Sequence, residues 1–305
     1  MRVAAIDCGT NSIRLLIADV VDGRVIDVSR RMEIVRLGEG VDRTGRLSDA
    51  ALARTRKALI GYAAEIAELG ITRVRMCATS ASRDASNAAD FRAMVRGVLG
   101  VDPEVITGDE EARLSFAGAV AGLPAEPPYL IFDIGGGSTE FVTGSAGVEH
   151  AISMDVGCVR MTERHLHDDP PTPAQIEAAT RDITTAVETA LAAVPGRSAR
   201  TVVGLAGTVT TVTALALGLD AYDASRIHHA TVSRAAVAKV TGDLLAMTNA
   251  ERRALPVMHP GRADVIGGGA LILSIILERS GHDVLIASEH DILDGIALSI
   301  ALPAA

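Results

Sequence analysis

The residues in this chain best suited to chemistry gather around short glycine-containing turns. Residues 129–144 read YLIFDIGGGSTEFVTG. Three consecutive glycines between two apolar runs let the main chain approach a ligand closely, and the N–H groups of Gly136, Gly137 and Ser138 can form an anion nest. Ser138 and Thr139 add hydroxyl donors. Asp133 ends the first run and Glu140 opens the second, so two carboxylates flank those donors, a pair suited to Mg2+ carried by a phosphate. The competing reading is a plain hairpin turn with incidental acids, for which a triple glycine is a poor choice. A second turn, DCGTNSIR, offers hydroxyl, amide and N–H donors from Thr10, Asn11 and Ser12, with Arg14 as a forked cation for phosphate oxygens. Alone it also reads as an ordinary polar turn.

Three further segments carry candidate groups. In ATSASRDASN, Thr79, Ser80 and Arg83 follow a strand, at the end of an α/β sheet where ligands bind; a helix N-cap with a solvated arginine is the alternative. In ITGDEEARLS, Thr107 and Glu110 have capping-box spacing, which gives Glu110 a structural duty and leaves Glu111 without one. Acids in a first helical turn are also favoured by the helix dipole. In GLAGTVTT, Gly207 and Thr208 head a helix and form either an anion site or a tight helix–strand contact. His165, His167, Asp168 and Asp169 read as a solvated surface turn, and His228 and His229 have no identifiable partner.

The elements that must position these groups alternate strand with helix, which makes the class α/β. Residues 2–20 and 129–144 are both predicted strand–turn–strand units. They lie 126 positions apart, so that Asp7 falls on Asp133, Gly9 on Gly135, Ser12 on Ser138 and Arg14 on Glu140. A duplicated hairpin follows. Helices are expected at 49–69, 91–99, 174–194 and 262–278, with a last one from about 291 to 303, and strands at 74–78, 201–205 and 284–288. The prolines of LPAEPP mark a boundary near residue 124. The expected domains are thus 1–124 and 125–305, with the last helix able to pack back on the first.

Length and composition agree. The chain has 305 residues, 48% of them hydrophobic, enough for two cored domains. Its first residues resemble neither a signal nor a transit peptide, and no apolar run would span a bilayer, so a cytoplasmic protein without membrane insertion is expected. The three cysteines lack zinc-site spacing. A net charge of -9 and 2% aromatic residues argue against binding a nucleic acid polymer.

DCGTNSIRLL, ATSASRDASN, ITGDEEARLSFAG, FDIGGGSTEF, GLAGTVTTVTAL and VLIASEHDILDGI, in this order, resemble the exopolyphosphatase / guanosine pentaphosphate phosphohydrolase family over nearly the whole chain, in its short two-domain form. The resemblance implies a two-lobed actin/chaperone-ATPase/sugar-kinase-like (ribonuclease H-like) fold with an interlobe cleft. It implies Mg2+-dependent hydrolysis, with Mn2+ as an alternative metal. The substrate would be the terminal phosphoanhydride of inorganic polyphosphate, or else guanosine pentaphosphate; a noncatalytic sensor of such ligands is the rival. By its place in the motif Glu111 matches the general base, with Glu110 as fallback, and Arg83 matches a phosphate-contacting arginine. Asp133 and Glu140 would hold the metal, Glu140 also taking part in catalysis. Thr10, Asn11, Ser12, Arg14, Gly136, Gly137 and Ser138 would bind phosphate, and Gly207 and Thr208 would approach a distal phosphate or nucleoside. A homodimer is among the assemblies the sequence allows.

Overall fold

A computed structural model describes residues 1–301, so the end of the expected last helix, residues 302 and 303, lies outside the described residues. The chain divides into two compact units, Met1–Gly122 joined by the segment from Asp291 onward, and Leu123–His290.

The first unit is built on a five-stranded sheet. Its strands are β1 (Arg2–Cys8), β2 (Ser12–Val21), β3 (Arg24–Ile34), β4 (Val74–Ala78) and β5 (Glu104–Val105), in the order β3-β2-β1-β4-β5. The first three are antiparallel, whereas β1, β4 and β5 are parallel. Strand β1 is apolar and buried on both faces, as a strand covered by helices on each side must be. The period of two then sorts its residues. Ala4, Ile6 and Cys8 join the core that contains Leu59, Tyr62 and Phe91, from the helices Asp49–Glu68 and Ala88–Leu99. Val3 and Ala5 join the core of the C-terminal helix Ile292–Ala301. Asp7 continues the second series, and its register partner Arg14 continues the series of Leu16, Ala18 and Val20. Alternation alone therefore aims both charged residues at the C-terminal helix. That helix meets the helix Gly108–Val120 at backbone distance: a Cβ on Gly118 would lie 1.9 Å from the carbonyl oxygen of Asp291, and one on Gly295 2.0 Å from that of Leu114.

The second unit repeats the plan. Its strands are β6 (Tyr129–Ile134), β7 (Thr139–Gly144), β8 (Val148–Met154), β9 (Thr201–Leu205), β10 (Thr231–Ser233) and β11 (Val284–Ala287), in the order β10-β11-β9-β6-β7-β8. Read from the other edge, β8-β7-β6-β9-β11 matches β3-β2-β1-β4-β5, with β10 added antiparallel to β11. This is the duplicated α/β topology of the actin/chaperone-ATPase/sugar-kinase-like class. One core of aliphatic residues and Phe132 and Phe141 fills this unit, joined by the helices Pro173–Ala193, Ala206–Ala216, Arg234–Ala246 and Ile266–Ser280.

Several expectations shift in detail. The helix expected from 262 begins at Ile266, because residues 260–265 form turns. Strand β3 has no counterpart in the sequence reading: it is an edge strand whose faces carry Arg24, Asp27, Arg30, Arg31 and Glu33, so its apolar alternation is blurred. Among the described residues no helix is long and apolar enough to cross a membrane.

Candidate active site

The glycine turn of the second unit connects β6 to β7. Its register places Asp133 opposite Glu140, and Glu140 opposite Ser153 on β8, so the three lie in one row on one face of the sheet. Both carboxylates are buried, and the Ser153 hydroxyl donates to Glu140 Oε1 at 2.7 Å. The turn closes with Gly135 N–H donating to the Ser138 carbonyl at 3.0 Å. The N–H groups of Gly136, Gly137 and Ser138 donate to nothing among the described residues, while the carbonyls of Gly135 and Gly136 face the helix Cys158–His165 and accept from its N-terminal N–H groups. Gly157 makes this approach possible, since a Cβ there would lie 2.4 Å from the Gly136 oxygen and 2.6 Å from the Gly137 nitrogen. Arg160, not singled out from the sequence, donates from Nε to the Gly137 carbonyl at 2.7 Å. Unpaired N–H donors beside two in-register carboxylates can receive an anion together with a hard cation. Among the described residues no group of three or more His, Cys, Asp or Glu could itself hold a metal ion. Two carboxylates are a number with which Mg2+ is commonly held when phosphate and water complete its shell.

The first hairpin makes the same closing bond, Gly9 N–H to the Ser12 carbonyl at 3.0 Å. The Thr10 and Asn11 N–H groups donate to nothing among the described residues, and Thr10 Oγ1 shares a hydrogen bond of 2.8 Å with Ser80 Oγ. Arg14 has partners that the sequence reading does not name. Its Nε and Nη2 donate to Asp7 Oδ2 at 3.0 and 2.7 Å, and its Nη1 donates to Asp291 Oδ2. Each of its three nitrogens is thus engaged by one of two buried carboxylates. Two acids share one base. Burial pushes the Asp7 carboxyl up despite Arg14, and Asp7 Oδ1 is buried without a hydrogen-bond partner among the described residues. Burial also works against ionisation of Asp291, but Arg14 and the Leu293 N–H outweigh it and hold that carboxyl below the ordinary range.

Glu110 and Glu111 are told apart by their surroundings. Thr107 caps its helix by accepting from the Glu110 N–H at 3.2 Å, yet the Glu110 side chain does not complete the box; it lies 3.4 Å from Arg75 Nη2. Glu111 is buried and accepts from Arg83 Nη1 at 3.3 Å. The same Nη1 donates to the Ile106 carbonyl at 2.9 Å, which leaves Arg83 Nε and Nη2 without partners among the described residues. Arg83 therefore orients Glu111 and keeps donors for an anion.

Gly207 and Thr208 open the helix Ala206–Ala216, at the end of β9, the strand beside β6. Arg262 packs flat on Gly207, where a Cβ would lie 2.3 Å from the guanidinium carbon, and it donates to the Gly207 carbonyl at 3.2 Å and to Thr211 Oγ1 at 3.1 Å. Thr208 is buried against Gly269, whose added Cβ would lie 2.4 Å from Thr208 Oγ1. The helix head is thus closely packed. The histidine–aspartate segment is exposed from His167 to Asp169, as a solvated turn is, and it is tied down on either side, His165 pairing with Asp182 at 2.9 Å and Asp169 with the buried Arg252 at 3.2 Å. His228 and His229 do have partners, stacking on each other at 3.6 Å, with His290 4.4 Å from His228. Arg160, Arg262, Ser153 and Asp291 escaped the sequence reading. A glycine immediately before a helix, as in Gly157, was the one available signal for the first.

Comparison with known proteins places this geometry. A model of the Ppx/GppA phosphatase family matches residues 16–303. The chain is 54% identical to Exopolyphosphatase 2 of Mycobacterium tuberculosis over 314 aligned positions, covering 98% of both. A crystal structure of an exopolyphosphatase-like protein, 45% identical, superposes with a TM-score of 0.94 over 97% of this chain and 96% of that one. The Aquifex aeolicus member of the family, 32% identical, superposes with a TM-score of 0.84 over 99% of this chain and 97% of its own. A match along nearly the full length, over the segments that carry the glycine turn, the paired carboxylates and Glu111, means that the chain belongs to the Ppx/GppA phosphatase family.

Proposed function

We propose that this chain is an exopolyphosphatase, hydrolysing the terminal phosphoanhydride of inorganic polyphosphate to release orthophosphate. The observation that carries the reading is the turn at Gly135–Ser138, where three N–H donors stay unpaired beside two buried in-register carboxylates. The full-length likeness to a relative named for this activity supports the choice of substrate.

Phosphoryl transfer has a loose transition state, so the task of the residues is to position groups and to neutralise charge. The N–H groups of Gly136, Gly137 and Ser138 bind terminal phosphate oxygens, and those of Thr10 and Asn11 offer a second set of donors. Glu111, oriented by Arg83, accepts the proton of the attacking water at its carboxylate. Asp133 and Glu140 would hold Mg2+, or Mn2+, which supplies charge neutralisation at the phosphoanhydride oxygens. The three cysteines, all free and buried, support a reducing cytoplasmic setting.

Guanosine pentaphosphate ends in the same anhydride, so the test is a phosphate-release panel over short and long polyphosphate, guanosine pentaphosphate, ATP and ADP with Mg2+ and Mn2+. Release from polyphosphate above all others is expected. Faster release from guanosine pentaphosphate would reassign the substrate. Tight binding of polyphosphate with no release under either metal would make the protein a sensor.

A further inference from the structure

The nest donors are one end of three peptide planes, and the other ends are all held. A planar trans peptide points its C=O and N–H in opposite directions, so fixing one fixes the other. The Gly135 carbonyl accepts from Cys158 N–H at 2.9 Å, and the Gly136 carbonyl from Val159 and Arg160 N–H at 2.8 and 3.1 Å. These bonds aim the N–H groups of Gly136 and Gly137. The Gly137 carbonyl lies beyond the last usable helix N–H and is taken instead by Arg160 Nε at 2.7 Å, which aims the Ser138 N–H. Arg160 is largely buried, with 13% of its side chain exposed. In the first hairpin the carbonyls of Thr10 and Asn11 are held by the main-chain N–H groups of Gly38, Val35 and Arg36 instead.

We propose that Arg160 is a positioning residue for phosphate binding, acting through the Gly137–Ser138 peptide. This rests on the reading that the turn binds phosphate. The guanidinium completes the set of held carbonyls, and a charge-assisted bond to the carbonyl strengthens the N–H at the far end of the same amide. The turn then meets its anion already oriented, so little ordering remains to be done on binding.

The test uses inorganic tripolyphosphate as the probe, titrated calorimetrically into the full chain carrying Glu111→Gln to suppress turnover, with far-UV circular dichroism as the check of folding. Four changes are added in turn: Arg160→Ala, Arg160→Gln, Arg160→Lys and Gly136→Val. Arg160→Ala is expected to weaken binding about tenfold or more, the cost of losing one charged hydrogen bond. Gln is the informative replacement, because its Nε2 stands the same number of bonds from Cα as the arginine Nε and can reach the Gly137 carbonyl without a charge. Lysine keeps the charge but has a methylene there. Recovery by Gln and not by Lys supports positioning. Recovery by Lys and not by Gln overturns it in favour of a direct charge effect on the anion. Normal affinity in Arg160→Ala, with weakened binding in Gly136→Val, overturns the Arg160 role and leaves the turn as the phosphate site. Normal affinity in Gly136→Val overturns the reading of the turn itself.

Discussion

Asp291→Asn is the sharpest probe of the first unit. The wild-type carboxylate does two things at once: Oδ1 accepts from the Leu293 N–H at 3.0 Å, capping the C-terminal helix, and Oδ2 accepts from Arg14. Asparagine keeps an oxygen for the cap, so the capping contribution of about 1 kcal/mol is retained. What it loses is the charge opposite a buried guanidinium, and its amide donors then face the donors of Arg14. Breaking a buried pair by removing one partner costs roughly 3–5 kcal/mol. Arg14 still holds Asp7, and Asp7 is relieved of a like-charged neighbour, which puts the expected loss at the low end, about 3 kcal/mol. Urea unfolding followed by circular dichroism is the assay, since the chain has no tryptophan to report by fluorescence. The sign of the pH dependence is a second reading. Asp291 has a lowered folded-state pKa, so its stabilisation is present above the unfolded value of 3.8 and is lost as the pH falls through the folded one. The gap between wild type and variant must therefore narrow in acid. A loss under about 1 kcal/mol at pH 7, or a gap that widens in acid, would refute the claim that Arg14 is a structural clamp for two acids.

Glu111→Gln should lower turnover by roughly 10²- to 10⁴-fold while polyphosphate affinity stays near wild type; unchanged turnover in a phosphate-release assay removes Glu111 from the role of base. Gly118→Ala puts a methyl 1.9 Å from the Asp291 carbonyl, where backbone and not a pliant side chain must yield, so unfolding in urea should show a loss of about 3 kcal/mol or more. A neutral result there would mean that the two helices separate at little cost. His229 sits at φ 63 with a buried, unpartnered Nε2, and its pKa is lowered from 6.5 by burial and then by His290. The unfolded chain then binds the proton more readily, so stability is full above about pH 6.5 and declines as the pH drops through the folded value. His229→Asn, which tolerates positive φ, should flatten that part of a melting-temperature profile taken between pH 5 and 7.5.

Much of this architecture could be read from residue patterns, because the pieces that position chemistry are local. The two strand–turn–strand units, the helix begun by Thr107 and the strand leading to Arg83 each announce themselves within a dozen residues. What escaped depends on pairings distant in sequence. The segment around Arg14 contains donors and a glycine and so points to phosphate alone; its partner Asp291 is 277 residues away, and only the period-2 facing of β1 and β2 against the C-terminal helix reveals the pair. Arg160 stands 23 residues beyond Gly137, and apart from Gly157 before its helix no residue nearby signals that the helix N-terminus abuts a turn. Glu110 shows the reverse failure. Its capping-box spacing is correct, yet Arg75 from β4 competes for the carboxylate, and a sequence motif cannot weigh a tertiary rival against a local one.

The matching registers of the two hairpins have an evolutionary consequence. Asp7 faces Arg14 across one turn, and Asp133 faces Glu140 across the other, at positions that correspond one for one. If the halves descend from one ancestral segment, that ancestor carried a single residue at the position now split between 14 and 140. The descendants then took opposite signs there, one copy closing its acid with an internal counter-ion and the other adding a second acid. Symmetry of topology would then have been broken by the charge of one side chain, one copy holding the C-terminal helix through Asp291 and the other setting two carboxylates side by side, without any change of backbone.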